Sequence, residues 1–253
     1  MIVLKSETEI DLMAKAGSVS AAMLEELPSI IQPGISTKDI DKFVEDYIVK
    51  HGMIPAFKGY GGFPASACVS VNEEVVHGIP SKKRILEEGD IVSVDLGTVY
   101  KGYYSDAART YPVGKISEEN QRLIDIAEKS FFAGLKFCRA GNRLGDVSHA
   151  IQVCVEEAGF SVIRDYVGHG VGQDLHEDPS VPNYGRAGRG PKLVPGMVIA
   201  IEPMIAVGKY DVEVLSNDWT AVTIDGGFAA HYENTVAITD GEPRLLTKEG
   251  LNG

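Results

Sequence analysis

Two pairs of acids recur at matching positions in this 253-residue chain, and that recurrence limits the folds open to it. In Gly89–Asp95, and again in Gly196–Glu202, a glycine leads an apolar run that ends on an acid six residues later. Asp106 and Glu233 are each followed by glycine eight positions on, at Gly114 and Gly241. Asp95 and Glu202 are 107 positions apart, as are Gly34 and Gly141, and Gly52 and Gly159. Asp106 and Glu233 are 127 apart, which places an insertion of 20 residues in the second half. Such a chain folds as two equivalent halves that each deliver two acids to one place. Four converging carboxylates call for cations, because leaving them buried and unpaired costs on the order of several kcal/mol each.

A chain of this length can bury a substantial core. Each half carries only half of the acid set, so we expect one catalytic domain over 1–253, with pseudo-repeat halves of about 1–115 and 116–253. The net charge of −12 disfavours direct nucleic-acid binding, which needs clustered Lys and Arg. Cys68, Cys138 and Cys154 are odd in number and form no CxxC, so neither a disulfide framework nor a zinc finger is legible. No apolar run reaches membrane-spanning length, and the first residues lack a signal-peptide pattern. The expectation is a cytoplasmic monomer with no membrane partner.

Local signals divide each half into helices followed by strands, an α+β pattern. Ser6 and Glu9 form a capping-box signature ahead of Ile10, Met13, Ala14, Gly17, Ala21 and Leu24 at helical spacing. A second helix follows Ser36 or Thr37 and stops at Gly52; its repeat partner runs from about Gly145 to Gly159. Ser117, with Glu118 and Glu119 in the first turn, opens a further long helix. In the strands, Val92, Val94 and Leu96 alternate with Ile91, Ser93 and Asp95, and Ile199 and Ile201 alternate with Ala200 and Glu202. A hairpin centred on Tyr100–Lys101 would set Asp95 directly opposite Asp106, a repulsive pair unless a cation lies between them. Residues 183–195 read as loop.

The candidate metal ligands are Asp95, Asp106, Glu202, Glu233 and His169, an oxygen-rich set with one imidazole that suits Mn, Fe, Co or Zn. Glycines on both sides of His169 are expected to let backbone approach the imidazole. His176 lies seven residues on and can project into the same cleft; His77 is a weaker candidate.

These residues sit in the segments Asn72–Pro80, Asp95–Gly97, Ser105–Asp106, Gly168–Gly172, Leu175–Glu177, Ile201–Met204 and Tyr232–Thr235. In identity, order and spacing the segments resemble those of methionine aminopeptidases, specifically the type I bacterial form without an N-terminal zinc-binding extension, over nearly the whole chain. The resemblance implies the pita-bread fold, two pseudo-symmetric halves around a central antiparallel sheet with two divalent ions in the cleft. It implies hydrolysis that removes the initiator methionine from nascent polypeptides and peptides with a free N-terminal Met and a small second residue. Carried over, it makes Asp95, Asp106, His169, Glu202 and Glu233 the metal ligands and Glu202 also a proton acceptor. His176 becomes an oxyanion donor and His77 a contact to the substrate backbone. The methionine pocket would use Phe57, Tyr60, Phe63, Cys68, Leu175 and Trp219. Two of these depart from the family pattern, since Phe57 stands where relatives often carry cysteine and Leu175 where phenylalanine is common. Ribosome association is a further expectation of the family that no clustered basic segment here supports.

Two other readings compete with this one. An Xaa-Pro peptidase or creatinase-like hydrolase shares the fold but usually carries a large extra N-terminal domain, whereas only about 90 residues precede Asp95. A silent binding module of the same fold loses ligands, whereas all five are present.

Overall fold

The structure, a computed structural model, describes residues 1–248. Its helices start where local chemistry satisfies their free N–H groups. Helix α1 (Glu7–Glu26) begins with a reciprocal cap between Ser6 and Glu9, and α2 (Thr37–Lys50) with the same device between Ser36 and Asp39. Helix α3 (Glu118–Leu135) is capped by Ser117, and α4 (Leu144–Glu157) ends ahead of Gly159, whose φ of +84° few other residues adopt.

Among the described residues the main sheet has nine strands, antiparallel at every pairing. Across it run Ile54–Pro55, Ile91–Tyr100, Tyr103–Pro112, Glu233–Ala237, Val198–Ile201, Gly168–Gly170 and Glu177–Val181. Ala67–Val71 also pairs with Ile91–Tyr100, and Arg244–Leu245 with Glu233–Ala237. The seam between first-half and second-half strands lies at Ala108↔Glu233 and Ala107↔Asn234.

Alternation along the strands separates core from site. Val92, Val94 and Leu96 pack with Met23 and Leu24 of α1 and with Ile40, Val44 and Ile48 of α2. Ile199, Ile201 and Val236 pack with Leu123 and Phe131 of α3 and with Val147, Ile151 and Val155 of α4. Each such aliphatic side chain, fully buried, stabilises the fold by about 1.5–3 kcal/mol relative to exposure. A buried hydroxyl cluster ties α1 to the strands that carry the acids: Ser20 lies 3.0 Å from the Ser105 hydroxyl, and Thr98 donates to the Ala16 carbonyl at 2.8 Å.

One expected register is corrected. Asp95 pairs with Ala108 and Asp106 with Gly97, so the two acids are not directly opposed. Lys101 and Gly102 both adopt positive φ, +50° and +83°, and form the two-residue turn that fits the twist of a hairpin. That turn moves the centre by one residue and leaves both acids on the same face, diagonal to one another. The two side chains still meet across the diagonal, where each carboxyl acts on the other.

Candidate metal centre and active site

The four acids meet over the seam of the sheet. Asp95 and Asp106 point from the first-half hairpin, Glu233 opens its strand, and Glu202 lies one residue past the end of Val198–Ile201. The Asn183 amide donates to the Glu202 carbonyl at 2.9 Å, and Thr235 Oγ1 bonds both the N–H and the carbonyl of Asp106. Backbone at Asp106 and Glu202 is therefore held, while several carboxylate oxygens of the cluster lack partners. Asp95 Oδ1, Asp106 Oδ1 and Glu233 Oε1 are buried with no hydrogen-bond partner.

His169 joins this group from the short strand Gly168–Gly170. Its Nε2 lies 3.6 Å from Asp106 Oδ2 and 3.5 Å from Glu202 Oε1. Its Nδ1 lies 2.9 Å from the Gly170 carbonyl, which fixes the hydrogen on Nδ1 and aims the Nε2 lone pair at the acids. The flanking glycines let backbone reach the imidazole, as the Gly170 carbonyl does, and they also serve the sheet. A Cβ on Gly168 would strike the Ala200 carbonyl, and one on Gly170 the Asp178 carbonyl.

The electrostatics of the group are extreme. Burial raises Asp95, Asp106, Glu202 and Glu233 above the carboxylate range, and the neighbouring Asp106 charge adds to the effect on the other three. Burial also pushes His169 down to about 3. Unpartnered carboxylate oxygens around a neutral imidazole form a donor set that fits divalent cations, because each bound ion gives the charged form of several acids a partner. Atoms close enough to hold an ion fall into two triplets that share Glu233: Asp106, His169 and Glu233, and Asp95, His231 and Glu233.

His231 was absent from the sequence-derived set. It is 1% exposed, burial holds it neutral at about 3, and neither ring nitrogen has a hydrogen-bond partner. It stands two positions before Glu233, and the period-two alternation of an extended chain is the signal that could have found it.

Above the acids lies a cavity of about 260 Å³, lined by Phe57, Tyr60, Phe63, Cys68, Leu175 and Trp219 together with His77, Tyr166 and His176. Every residue expected for the pocket is thus brought to one place. The Trp219 ring meets Phe63 edge-on at 5.1 Å, and His77 meets Tyr166 edge-on at 5.4 Å. Cys68 pairs with Asp95 across the sheet, and burial plus that acid raise its thiol well above the usual range, so it packs as a small apolar group. At the mouth, His176 Nδ1 is 2.8 Å from the Tyr60 hydroxyl, and the His176 ring lies 4.1 Å from that of His169.

Behind the acids, Arg109 donates to the Ala108 carbonyl at 2.8 Å, the Glu233 carbonyl at 2.6 Å and Asn234 Oδ1 at 2.8 Å. Its guanidinium lies over the Tyr232 ring at 4.0 Å.

Comparison with known proteins agrees with this geometry. The sequence model of metallopeptidase family M24 matches residues 11–240. The chain is 59% identical over 247 residues to the methionine aminopeptidase of Clostridium acetobutylicum, which spans 98% of this chain and 99% of that one. The crystal structure of methionine aminopeptidase from Thermotoga maritima superposes with a TM-score of 0.97 at 51% identity, over 98% of this chain and 100% of that one. Prolidase from Pyrococcus furiosus shares the fold at a TM-score of 0.78 and 25% identity, over 98% of this chain and 66% of that longer one. The fold is the pita-bread fold, and the chain belongs to metallopeptidase family M24, within its methionine aminopeptidases.

Proposed function

We propose that the protein removes the N-terminal methionine from nascent proteins and peptides whose second residue is small. The observation that carries this reading is a cluster of four acids with buried, unpartnered oxygens on Asp95, Asp106 and Glu233 and one oriented imidazole, lining an aromatic-walled cavity. In this reading Asp95, Asp106, His169, Glu202 and Glu233 hold two divalent ions, drawn from Co, Mn, Fe or Zn. Bound there, such ions supply Lewis-acid polarisation and a water of lowered pKa.

The chain's own groups do the rest. Phe57, Tyr60, Phe63, Cys68, Leu175 and Trp219 take the thioether side chain, and its burial contributes about 1.5–3 kcal/mol. Glu202 accepts a proton at the site of attack and passes it toward the leaving amine. The Tyr60 hydroxyl donates to Nδ1 of His176, which keeps the His176 hydrogen on Nε2, free for the oxyanion that develops at the first carbonyl. His77, at a φ of +59°, faces the substrate backbone from the opposite wall. The whole chain serves as one catalytic domain, because the sheet and the acid set both run across halves of about 1–115 and 116–253. Nascent chains are its macromolecular partner in the cytoplasm.

The test compares release of methionine from Met-Ala-Ser with cleavage of an Ala-Pro peptide before EDTA, after EDTA, and after metal re-addition. Activity on Met-Ala-Ser that is lost on chelation and restored by metal is expected. Cleavage of the Ala-Pro peptide alone, or activity untouched by chelation, would overturn the reading.

A further inference from the structure

We infer that His231 is a positioning residue whose Nε2–H holds the Glu202–Glu233 carboxylate pair in the orientation that bound ions need. The inference rests on the metal-ligand reading above and deepens it. His231 is sealed in, and its main chain is pinned on both sides. Its N–H donates to Thr110 Oγ1 at 2.8 Å, and the Thr110 hydroxyl donates to its carbonyl at 2.9 Å. From that fixed base the ring presents Nε2 at 3.6 Å from Glu233 Oε2 and 3.9 Å from Glu202 Oε2. The other Glu202 oxygen, Oε1, faces His169 at 3.5 Å, so one carboxylate lies between two imidazoles.

The ring's unmatched nitrogens decide what it does there. With the hydrogen on Nε2, it points at two acceptors and leaves only an Nδ1 lone pair unmet. With the hydrogen on Nδ1, as direct metal ligation through Nε2 requires, a buried donor faces no acceptor. An orphaned donor is the costlier outcome. Both gaps exceed a hydrogen bond of about 2.7–3.2 Å, and a carboxylate shift of less than about 1 Å closes either one. Glu202 thus turns Oε1 toward the ions while Oε2 is held from behind. Groups that orient metal-ligating carboxylates in this way typically change metal affinity by about 10–100-fold.

The test is titration of Mn²⁺ into the metal-free wild type, His231→Gln and His231→Leu by calorimetry. Gln keeps an N–H at similar reach, whereas Leu fills the space without a donor. We expect Gln to bind within about threefold of wild type and Leu about 10–100-fold more weakly. Equal binding by Leu and wild type, or Gln as weak as Leu, overturns the positioning role. Absence of Mn²⁺ binding in the wild type instead overturns the ligand reading, and this inference with it. Thermal melts of the metal-free proteins establish that the variants fold. Should Leu fail to fold, the Co²⁺-loaded wild type decides alone. One hyperfine-shifted imidazole N–H, from His169, supports the inference, and two would place His231 on an ion and overturn it.

Discussion

The Tyr60 phenol lies 2.8 Å from Nδ1 of His176, although the two residues are 116 positions apart in the chain. In the proposed mechanism the phenol donates to Nδ1 and leaves the His176 hydrogen on Nε2. His176→Ala is expected to lower kcat by about 10²–10³-fold, the usual effect of removing an oxyanion donor, with a much smaller change in KM. Tyr60→Phe keeps the ring and loses the tautomer preference, so its kcat should fall between wild type and His176→Ala. Steady-state kinetics on Met-Ala-Ser measures both.

Asp106→Ala and Glu202→Ala should each abolish turnover while the protein stays folded. Each also removes one of several crowded buried acids, so in chelator the variants should melt no lower than wild type. Activity assays paired with calorimetry in EDTA check this. Retained turnover in either variant would remove that residue from the ligand set.

Stability of the metal-free protein should depend on pH with a definite sign. Asp95, Glu202 and Glu233 are raised well above ordinary values of 3.8 and 4.5, so the folded state binds more protons than the unfolded one. Their contribution is full below about pH 4 and is lost as pH rises through the raised values. His169 and His231, lowered from 6.5 to about 3, contribute fully above 6.5 and lose that contribution as pH falls toward 3. His77 and His176 are lowered as well, so the histidines oppose the acids until about pH 7.5, above which the acids dominate the slope. Melting temperature in EDTA should therefore decline between about pH 7.5 and pH 9, and Mn²⁺ should flatten the decline. A rise over that range in EDTA would contradict the account.

Gly168→Ala and Gly170→Ala should each destabilise by about 1–3 kcal/mol, because the added methyl meets a carbonyl of a neighbouring strand. Urea unfolding measures the loss. Both should also weaken Mn²⁺ binding, since His169 lies between them.

Much of this arrangement was legible in the sequence because its causes are local. The capping pair Ser6–Glu9 announces its helix, and the alternation of Val92, Val94 and Leu96 against Asp95 separates core from site. The four acids were legible through duplication. What escaped had causes outside the local pattern. The hairpin register depends on the backbone of Lys101 and Gly102, which residue spacing alone does not reveal. The glycines beside His169 answer to carbonyls on two other strands. His231 has no duplicate, since its counterpart in the first half is Tyr104, and the chain leaves one sheet and enters another between His231 and Glu233. Repetition does not point to it, and only its place two residues before Glu233 does.

Arg109 resolves a conflict built into any nest of acids. A cation nearby lowers the self-repulsion of the cluster, yet an arginine that gripped those carboxylates would occupy the sites meant for metal. Here the guanidinium donates to two main-chain carbonyls and one amide oxygen, and an aromatic face covers it. Its positive field reaches the Glu233 carboxylate from the rear without taking a lone pair from that carboxylate. The hollow can thus fold before it is filled and still remain hungry for divalent charge.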